Sequence, residues 1–559
     1  MIDVLFITRL SSPENTEITE AYKDLRLTLN GKTARVEYLR YLASSLSSKE
    51  VMKPDSFAND NTLFPVLTPI HINEFLKKQN ISMVEIPSLE DDFEKACAYL
   101  KEGVRIIALC TTWLTATNSA MQIRKAAKLL KSISPNTPLL IGGMGALKSL
   151  RVRELLQEQR LTGIFPQWAE EYSFARRLLS GLLKRILAQH CLLIDGHADS
   201  GIDGIVLNDM GETTLRSIVD SLKAGKDFRD TPNLAIPEGN DYHFTDNVET
   251  GIDLDSQIID WAGYVTSLNG KEAPIRRGTG CPYKCAFCDF QGLQKLRMRS
   301  PESMIAELKT LTKTGHRKVY FVDDNIAYTK KQLVDFTKAI ISEQLNLSWR
   351  TFLRADTIDM KTASLLKDSG CKEVLLGIES GDPQILINMN KGIDPEKALK
   401  AIQSLDSAGI RTESTFIVGF PGECSRSIEN TASFISTLPS GDSARAFHRY
   451  YLFKFMVSPL SPIASPDLRK KFSLKGIAGN WSHNTMNSKE VINAMRELFL
   501  KVKGPSHVYT ETFPDDWDNT NIRRVIELRD VVQKEKLQRH TAGNLGKLIA
   551  SVQSAQKMQ

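Results

Sequence analysis

The stretch RRGTGCPYKCAFCDF, residues 276–290, decides how the rest of this 559-residue chain is read. It sets Cys281, Cys285 and Cys288 in the spacing C-x-x-x-C-x-x-C, while Cys97, Cys110, Cys191, Cys371 and Cys424 stand alone. Cysteines at this abundance, scattered at random, would give the pattern about 0.002 times, so the group is a built feature. Intervals of four and three residues let one loop wrap three thiolates around a single iron–sulfur cube. Gly278, Gly280 and Pro282 supply the tight backbone that such wrapping needs. The loop and its flanks offer no fourth Cys or His, and His316 is the nearest histidine downstream. Structural zinc sites and electron-carrying clusters normally use four protein ligands. A cube held by three cysteines leaves one iron open to a small molecule. The plainer alternative is a zinc knuckle completed by a distant Cys or His.

Downstream of the loop, helix-period and strand-period segments alternate. Ser300 caps a helix with Pro301 at its first position, and its apolar face runs Met304, Leu308, Leu311 before Gly315 stops it. Strands are expected at 318–325, 347–353, 373–378, 411–418 and 448–457, with helices over 330–343, 361–369, a pair ending at Ala408, and 425–436. Six such alternations imply a parallel sheet, closed or partly closed, with chemistry at the carboxyl ends of its strands. The polar and glycine-rich punctuation falls at those ends: Asp323, Asp324 and Asn325; Arg354 and Asp356; Gly377 through Glu379 and Ser380 to Gly381; Gly419 to Glu423. Carboxylates suit an ammonium and ribose hydroxyls, arginine suits a carboxylate, and glycines let backbone approach an adenine. Singly, each could be a solvated strand end, a helix cap or a turn.

The N-terminal third has the same alternation. Strands at 3–7, 83–86, 104–108, 138–141 and 204–207 are interleaved with helices at 71–79, 89–101 and 119–132 and one after Gly211, a doubly wound α/β pattern. Its turns are small, at Thr111, at Gly142 with Gly143, and at Gly211, which either makes room for a large flat or nucleotide-like ligand or simply makes tight turns. Residues 44–67 read as a polar inserted loop, and 150–190 as a basic helical insertion with Trp168, Arg176, Arg177 and Lys184 on a solvated face. Prolines between 458 and 466 break the chain, and from 488 the period is helical. Three domains are therefore expected: 1–262, 263–460 and 461–559.

Composition narrows the class. Hydrophobic residues at 42% and charged residues at 25% exclude collagen-like, mucin-like and disordered chains, and a net charge of +6 without a basic stripe does not call for nucleic acid. No apolar run approaches the roughly 18 residues that span a bilayer. A strand begins at Met1-Ile-Asp3 without a basic leader, so a cytoplasmic protein is expected.

Taken together, RGTGCPYKCAFCDF, FVDDN, WRTFLRADTI, LLGIESGD with NKG, and FIVGFPGE resemble the radical S-adenosylmethionine superfamily over 273–457. The resemblance implies that Cys281, Cys285 and Cys288 hold a four-iron four-sulfur cluster whose open iron binds S-adenosylmethionine. An external donor of the flavodoxin or ferredoxin type feeds its cleavage to a 5′-deoxyadenosyl radical. Phe287 fills the aromatic position before the third cysteine. Where the superfamily often has Gly-Gly-Glu, this chain has Asp323-Asp324-Asn325, which looks like the cobalamin-dependent branch. The implied S-adenosylmethionine contacts are Asp323, Asp324, Arg354, Glu379 and Ser380. Residues 1–262 resemble that branch's cobalamin-binding domain, with Thr111, Gly142 and Gly143 against the nucleotide tail. The fingerprint D-x-H-x-x-G is absent after the first strand, and Asp195-Gly-His197 imitates it only with wrong spacing, so cobalamin is expected without a histidine ligand.

The expected fold is thus an α/β chain: a doubly wound, Rossmann-like cobalamin-binding-type domain, a partial (β/α)6 TIM-like radical barrel, and a helical C-terminal domain covering the barrel mouth. The implied activity is methyl transfer to an unactivated carbon of a small molecule or peptide. One S-adenosylmethionine methylates the corrin and a second is cleaved at the cluster. No residue is singled out for guiding the substrate radical. The alternatives are a radical isomerase, cyclase or oxidoreductase that moves no methyl, and a non-catalytic iron–sulfur or zinc interaction module. A methylthiotransferase is disfavoured because Cys97, Cys110 and Cys191 form no second cluster pattern.

Overall fold

The computed structural model describes residues 1–10, 20–30, 32–47, 66–112, 119–158, 184–185, 187–189, 191–194, 201–249, 251–509, 517–539 and 545–557. Two seven-stranded sheets organise them. The first contains β1 (Ile2–Ile7), β2 (Met83–Ile86), β3 (Val104–Cys110), β4 (Leu139–Gly142) and β5 (Gly204–Val206), parallel in the order β2-β1-β3-β4-β5. Its side chains alternate strictly. Leu5, Ile7, Ile107, Leu109 and Ile141 enter the core on one face, while Val4, Phe6, Ile106, Ala108 and Leu140 enter the core on the other. Burial on both faces is why these strands read as unbroken apolar runs. The strand order reverses between β1 and β3, and in doubly wound sheets ligands bind outside the carboxyl ends at that switch. Two strands escaped the sequence reading: β6 (Leu234–Glu238) and β7 (Asp241–Phe244) extend the sheet as an antiparallel edge.

The second sheet builds on β8 (Ala273–Ile275). A small antiparallel rung, β9 (Gly278–Thr279) with β10 (Arg297–Met298), follows and carries the cysteine loop between its arms. Then β11 (Lys318–Phe321), β12 (Ser348–Leu353), β13 (Cys371–Glu379), β14 (Arg411–Val418) and β15 (His448–Lys454) join β8 in parallel and in chain order, with helices on the connections. The ladder begins at β8 and ends at a short strand, Ser506–His507, beside β15, so it is an open arc. Edge-to-face contacts of Phe321 with Phe336 at 5.4 Å and with Trp349 at 5.3 Å fill the layer between sheet and helices. The expected strand 318–325 stops at Phe321, because Asp323 turns back toward the start of the cysteine loop.

At the amino-terminal ends of these strands Arg449 pairs with Glu373 at 2.8 Å and with Glu413 at 3.2 Å, and Arg350 pairs with Glu272 at 2.8 Å. Burial alone would push Glu373 up, but Arg449, Arg411 and Arg350 outweigh it and hold the carboxyl at about 2. That end of the arc is a closed ion network, which leaves the carboxyl ends for chemistry.

Buried apolar side chains of 461–559 enter two cores shared with other parts of the chain. Phe472, Trp481, Val491, Met495, Leu498 and Phe499 lie in the same apolar core as the arc. The helices Asn519–Arg539 and Leu545–Lys557 pack with Leu27, Val36, Leu39 and Ala43 from near the amino terminus. Tyr509 Oη accepts from Leu27 N at 2.7 Å, and Arg529 Nη1 donates to Ala34 O at 3.3 Å. Amino- and carboxyl-terminal segments thus form one unit rather than an added cover. Among the described residues no helix is long and apolar enough to cross a membrane.

Candidate active site at the cysteine loop

The loop is held by its backbone. A Cβ on Gly278 would stand 2.6 Å from Arg297 O, and Gly280 has φ +74 with carbonyls 3.1 Å from its would-be Cβ, so both positions need glycine to let β9 and β10 close. Ala286 N donates to Met389 O at 2.7 Å, Ile463 N to Ala286 O at 2.9 Å, and Asn390 Nδ2 to Lys284 O at 2.7 Å. Cys288 N closes a turn on Cys285 O at 3.1 Å. Cys285 is buried, whereas Cys281 and Cys288 are half-buried. Burial raises the Cys281 thiol and pushes the Cys288 thiol up to about 11, so a metal must displace protons to bind here. Among the described residues no three Cys, His, Asp or Glu side chains converge as they would on one metal ion.

Asp323 lies beneath the loop. Its carboxylate accepts from Arg277 N at 2.9 Å and from Gly278 N at 2.5 Å, and burial pushes it up to about 6 against those hydrogen bonds and the charges of Arg276 and Arg277. Both oxygens are thus spent on the root of the cysteine loop. Asp324, next to it, accepts no hydrogen bond from a described residue; it opens to solvent, yet the protein around it raises its carboxyl. Asn325 is buried, and neither its Oδ1 nor its Nδ2 has a partner.

The other predicted positions divide. Arg354 donates to both Asp356 oxygens at 3.2 Å and to Lys391 O at 2.8 Å, and lies 3.8 Å over the Tyr283 ring. Ser380 turns away to Thr431 Oγ1 at 3.2 Å and accepts from Asp382 N at 3.1 Å, which places it in a helix cap. Glu379 borders a cavity. It is paired with Lys391 at 3.0 Å, receives Thr415 Oγ1 at 3.3 Å, and holds a left-handed φ of +73 at a bulge of β13. The cavity has a volume of about 230 Å³ and is lined by Phe287, Glu379, Thr415, Ile417, Lys454 and Phe455, among others. Lys391, within Asn390-Lys391-Gly392, and Thr415 and Ile417 are site residues that no sequence motif marks. Alternation along β14 puts Thr415 and Ile417 on the inner face, a signal that was available in the sequence.

The turn Gly419 to Glu423 closes the same end. Glu423 accepts from the N–H groups of Gly419 and Phe420, and His483 Nε2 donates to Gly419 O at 3.1 Å. Burial pushes Glu423 from its ordinary 4.5 up to about 8. The unfolded chain releases this proton above 4.5 and the native chain keeps it to about 8, so its stabilising effect is complete below the first value and is lost through the second. Glu423→Gln should therefore melt close to the parent at acid pH and several degrees above it in mild alkali, by circular dichroism; a pH-independent gap would contradict this.

The first sheet's carboxyl edge faces the loop. Thr111 Oγ1 donates to Gly142 O at 2.8 Å and accepts from Ala146 N at 3.2 Å. Gly143 has φ +100, and a Cβ there would lie 2.7 Å from Thr112 Oγ1. The turn itself explains these small residues, so any ligand at Thr111, Gly142 and Gly143 would meet backbone. Lys148 and Asp209 cross to the loop, pairing with Asp289 at 2.9 Å and Arg297 at 2.7 Å. Trp168, Arg176, Arg177, most of 44–67 and Asp195-Gly-His197 lie outside the described residues.

Residues 275–435 match the family model of the Radical SAM superfamily, so the chain carries a radical S-adenosylmethionine domain. It is 30% identical over 246 residues to an uncharacterized methyltransferase of Pyrococcus horikoshii, covering 42% of this chain and 53% of that one. It is also 30% identical over 180 residues to the anaerobic magnesium-protoporphyrin IX monomethyl ester cyclase of Rubrivivax gelatinosus, covering 31% of this chain and 32% of the cyclase. The chain thus spans about half or less of the curated relatives it matches. In fold it is similar to the radical S-adenosylmethionine methyltransferase TsrM from Kitasatospora setae, solved with cobalamin and a [4Fe-4S] cluster, with a TM-score of 0.54 and 14% identity over 83% of this chain and 77% of that one.

Proposed function

We propose that this chain is a cobalamin-dependent radical S-adenosylmethionine methyltransferase acting on an unactivated carbon. The observation that carries the reading is the loop of Cys281, Cys285 and Cys288, seated at the carboxyl ends of an open parallel arc and facing the carboxyl edge of a doubly wound sheet. Residues 1–262 serve as the cobalamin-binding layer, 263–460 as the partial barrel, and 461–559 close the barrel together with the amino-terminal segment. The named methyltransferases among the relatives support it.

The residues fit the cofactors. Three thiols on a backbone-locked loop suit a four-iron four-sulfur cluster, which when bound supplies the electron that breaks the carbon–sulfur bond of S-adenosylmethionine. Cobalamin, when bound between the two carboxyl edges, supplies the methyl group. Phe287 and Ile417 offer apolar faces to the purine, and Glu379 accepts from ribose hydroxyls. Asp324, which accepts no hydrogen bond from a described residue, takes the ammonium. Asp323 acts one step back by fixing Arg277 and Gly278. Arg354 and Ser380 shape the site through Lys391 O and the helix cap rather than by reaching the ligand. Thr111, Gly142 and Gly143 meet the corrin tail through backbone. The electron comes from an external flavodoxin- or ferredoxin-type donor, the substrate is a small molecule or peptide, and the reaction sits in the cytoplasm, where thiols stay reduced.

The cyclase relative favours a second reading, in which the radical closes a ring and no methyl moves. The test is protein reconstituted with iron, sulfide and hydroxocobalamin under argon and given S-adenosylmethionine and titanium(III) citrate. Both 5′-deoxyadenosine and S-adenosylhomocysteine are expected. Deoxyadenosine alone would favour ring closure, and neither product would sink both.

A further inference from the structure

Lys148 belongs to the helix Met144–Gln157 of the first sheet's layer, yet it touches the cysteine loop of the second. Its Nζ donates to Asp289 Oδ2 at 2.9 Å and stands 4.4 Å from the centre of the Phe290 ring. These two residues immediately follow Cys288. Asp289 Oδ2 also receives Ser458 Oγ at 3.1 Å, so the carboxylate is fixed from both layers. Asp324 shares the same field: it interacts electrostatically with Lys148, Cys281 and Cys288, and Asp289 interacts with Cys288. Two carboxylates therefore neighbour the loop, and one ammonium from the other layer is paired with Asp289 and acts through space on Asp324.

We propose that Lys148 is a positioning residue that raises the reduction potential of the cluster by offsetting the charges of Asp289 and Asp324. The proposal rests on the cluster assigned above. One electron taken from titanium(III) citrate, which becomes titanium(IV), makes the thiolate-held cube one unit more negative. Neighbouring carboxylates oppose that change and an ammonium favours it, and in a part-buried site solvent screens neither fully. The ammonium that favours reduction comes from the first layer.

The experiment is a redox titration of the reconstituted full chain without S-adenosylmethionine, followed by bleaching of the cluster's visible band and by electron paramagnetic resonance. At the parent's midpoint, Lys148→Met should hold about tenfold less reduced relative to oxidised cluster, equivalent to about 59 mV for a one-electron couple. Lys148→Arg should stay within about twofold, since the charge is kept. Asp324→Asn in the otherwise native chain should move the midpoint the opposite way, a result independent of how well Lys148→Met folds. An unmoved midpoint in Lys148→Met, or equal displacement by Lys148→Arg, overturns the proposal and leaves the cluster assignment standing. A parent chain that assembles no four-iron cluster overturns both.

Discussion

Alanine at Cys281, Cys285 or Cys288, one at a time, is expected to abolish cleavage of S-adenosylmethionine to the level of a protein-free control, with iron and sulfide content falling in parallel. In the proposed site each thiolate would hold one iron of a four-iron cube, and two would not suffice to keep it. The loop has little freedom to compensate, because the backbone of Ala286 and Lys284 is tied to Met389, Ile463 and Asn390 outside it. The fold should survive. Cys281 and Cys288 are only half-buried, and losing one sulfur there should cost about 1 kcal/mol or less. Cys371 gives the converse. It is fully buried in the arc's core, so Cys371→Ala should cost stability and leave iron loading intact. Cleavage retained by any one of the three loop variants, measured as 5′-deoxyadenosine per cluster, would remove the basis of the functional reading.

Lys391→Met is expected to lower stability by about 3–5 kcal/mol in urea unfolding, the scale found when one partner of a buried ion pair is removed. Lys391 and Glu379 side chains are 7% and 9% exposed, and no other ion pair reaches Glu379 among the described residues. The site has little room to adjust. A Cβ on Gly377 would already stand 2.5 Å from Glu379 Oε1, and Glu379 itself is in a left-handed conformation that non-glycine residues rarely adopt. Because Glu379 borders the cavity, the KM for S-adenosylmethionine should rise as well. The double change Lys391→Met with Glu379→Gln should cost less than Lys391→Met alone, since no carboxylate is then stranded. A loss below about 1 kcal/mol, or a double variant no better than the single one, would mean the pair is solvated rather than buried.

How far such features could be read in advance depends on how local their causes are. The parallel strands declare themselves because burial on both faces writes continuous apolar runs, as in Val4 to Ile7 and Ile106 to Cys110. The cysteine spacing is local by nature. The edge pair β6 and β7 is not so marked: Leu234–Glu238 contains Pro237, and Asp241–Phe244 alternates with polar residues, so neither reached a strand pattern. Asp323 looked like a ligand residue because its two oxygens are committed to backbone 45 and 46 residues earlier, which no side-chain pattern records. Ser380 likewise spends its hydroxyl on Thr431, 51 residues later. Thr111 and Gly143 look open in sequence and are filled by each other's turns in space.

The least legible feature was the union of the two ends of the chain. Leu27 donates to a tyrosine 482 residues further on, and Val36 and Leu39 share an apolar core with Ile522, Val525 and Leu548. Beside it, Tyr22 and Arg26 reach Tyr451, so the outer flank of β15 is also covered from the amino-terminal side. The segment from Leu27 to Ala43 therefore cannot be lost without baring the apolar side chains of Ile522, Val525 and Leu548.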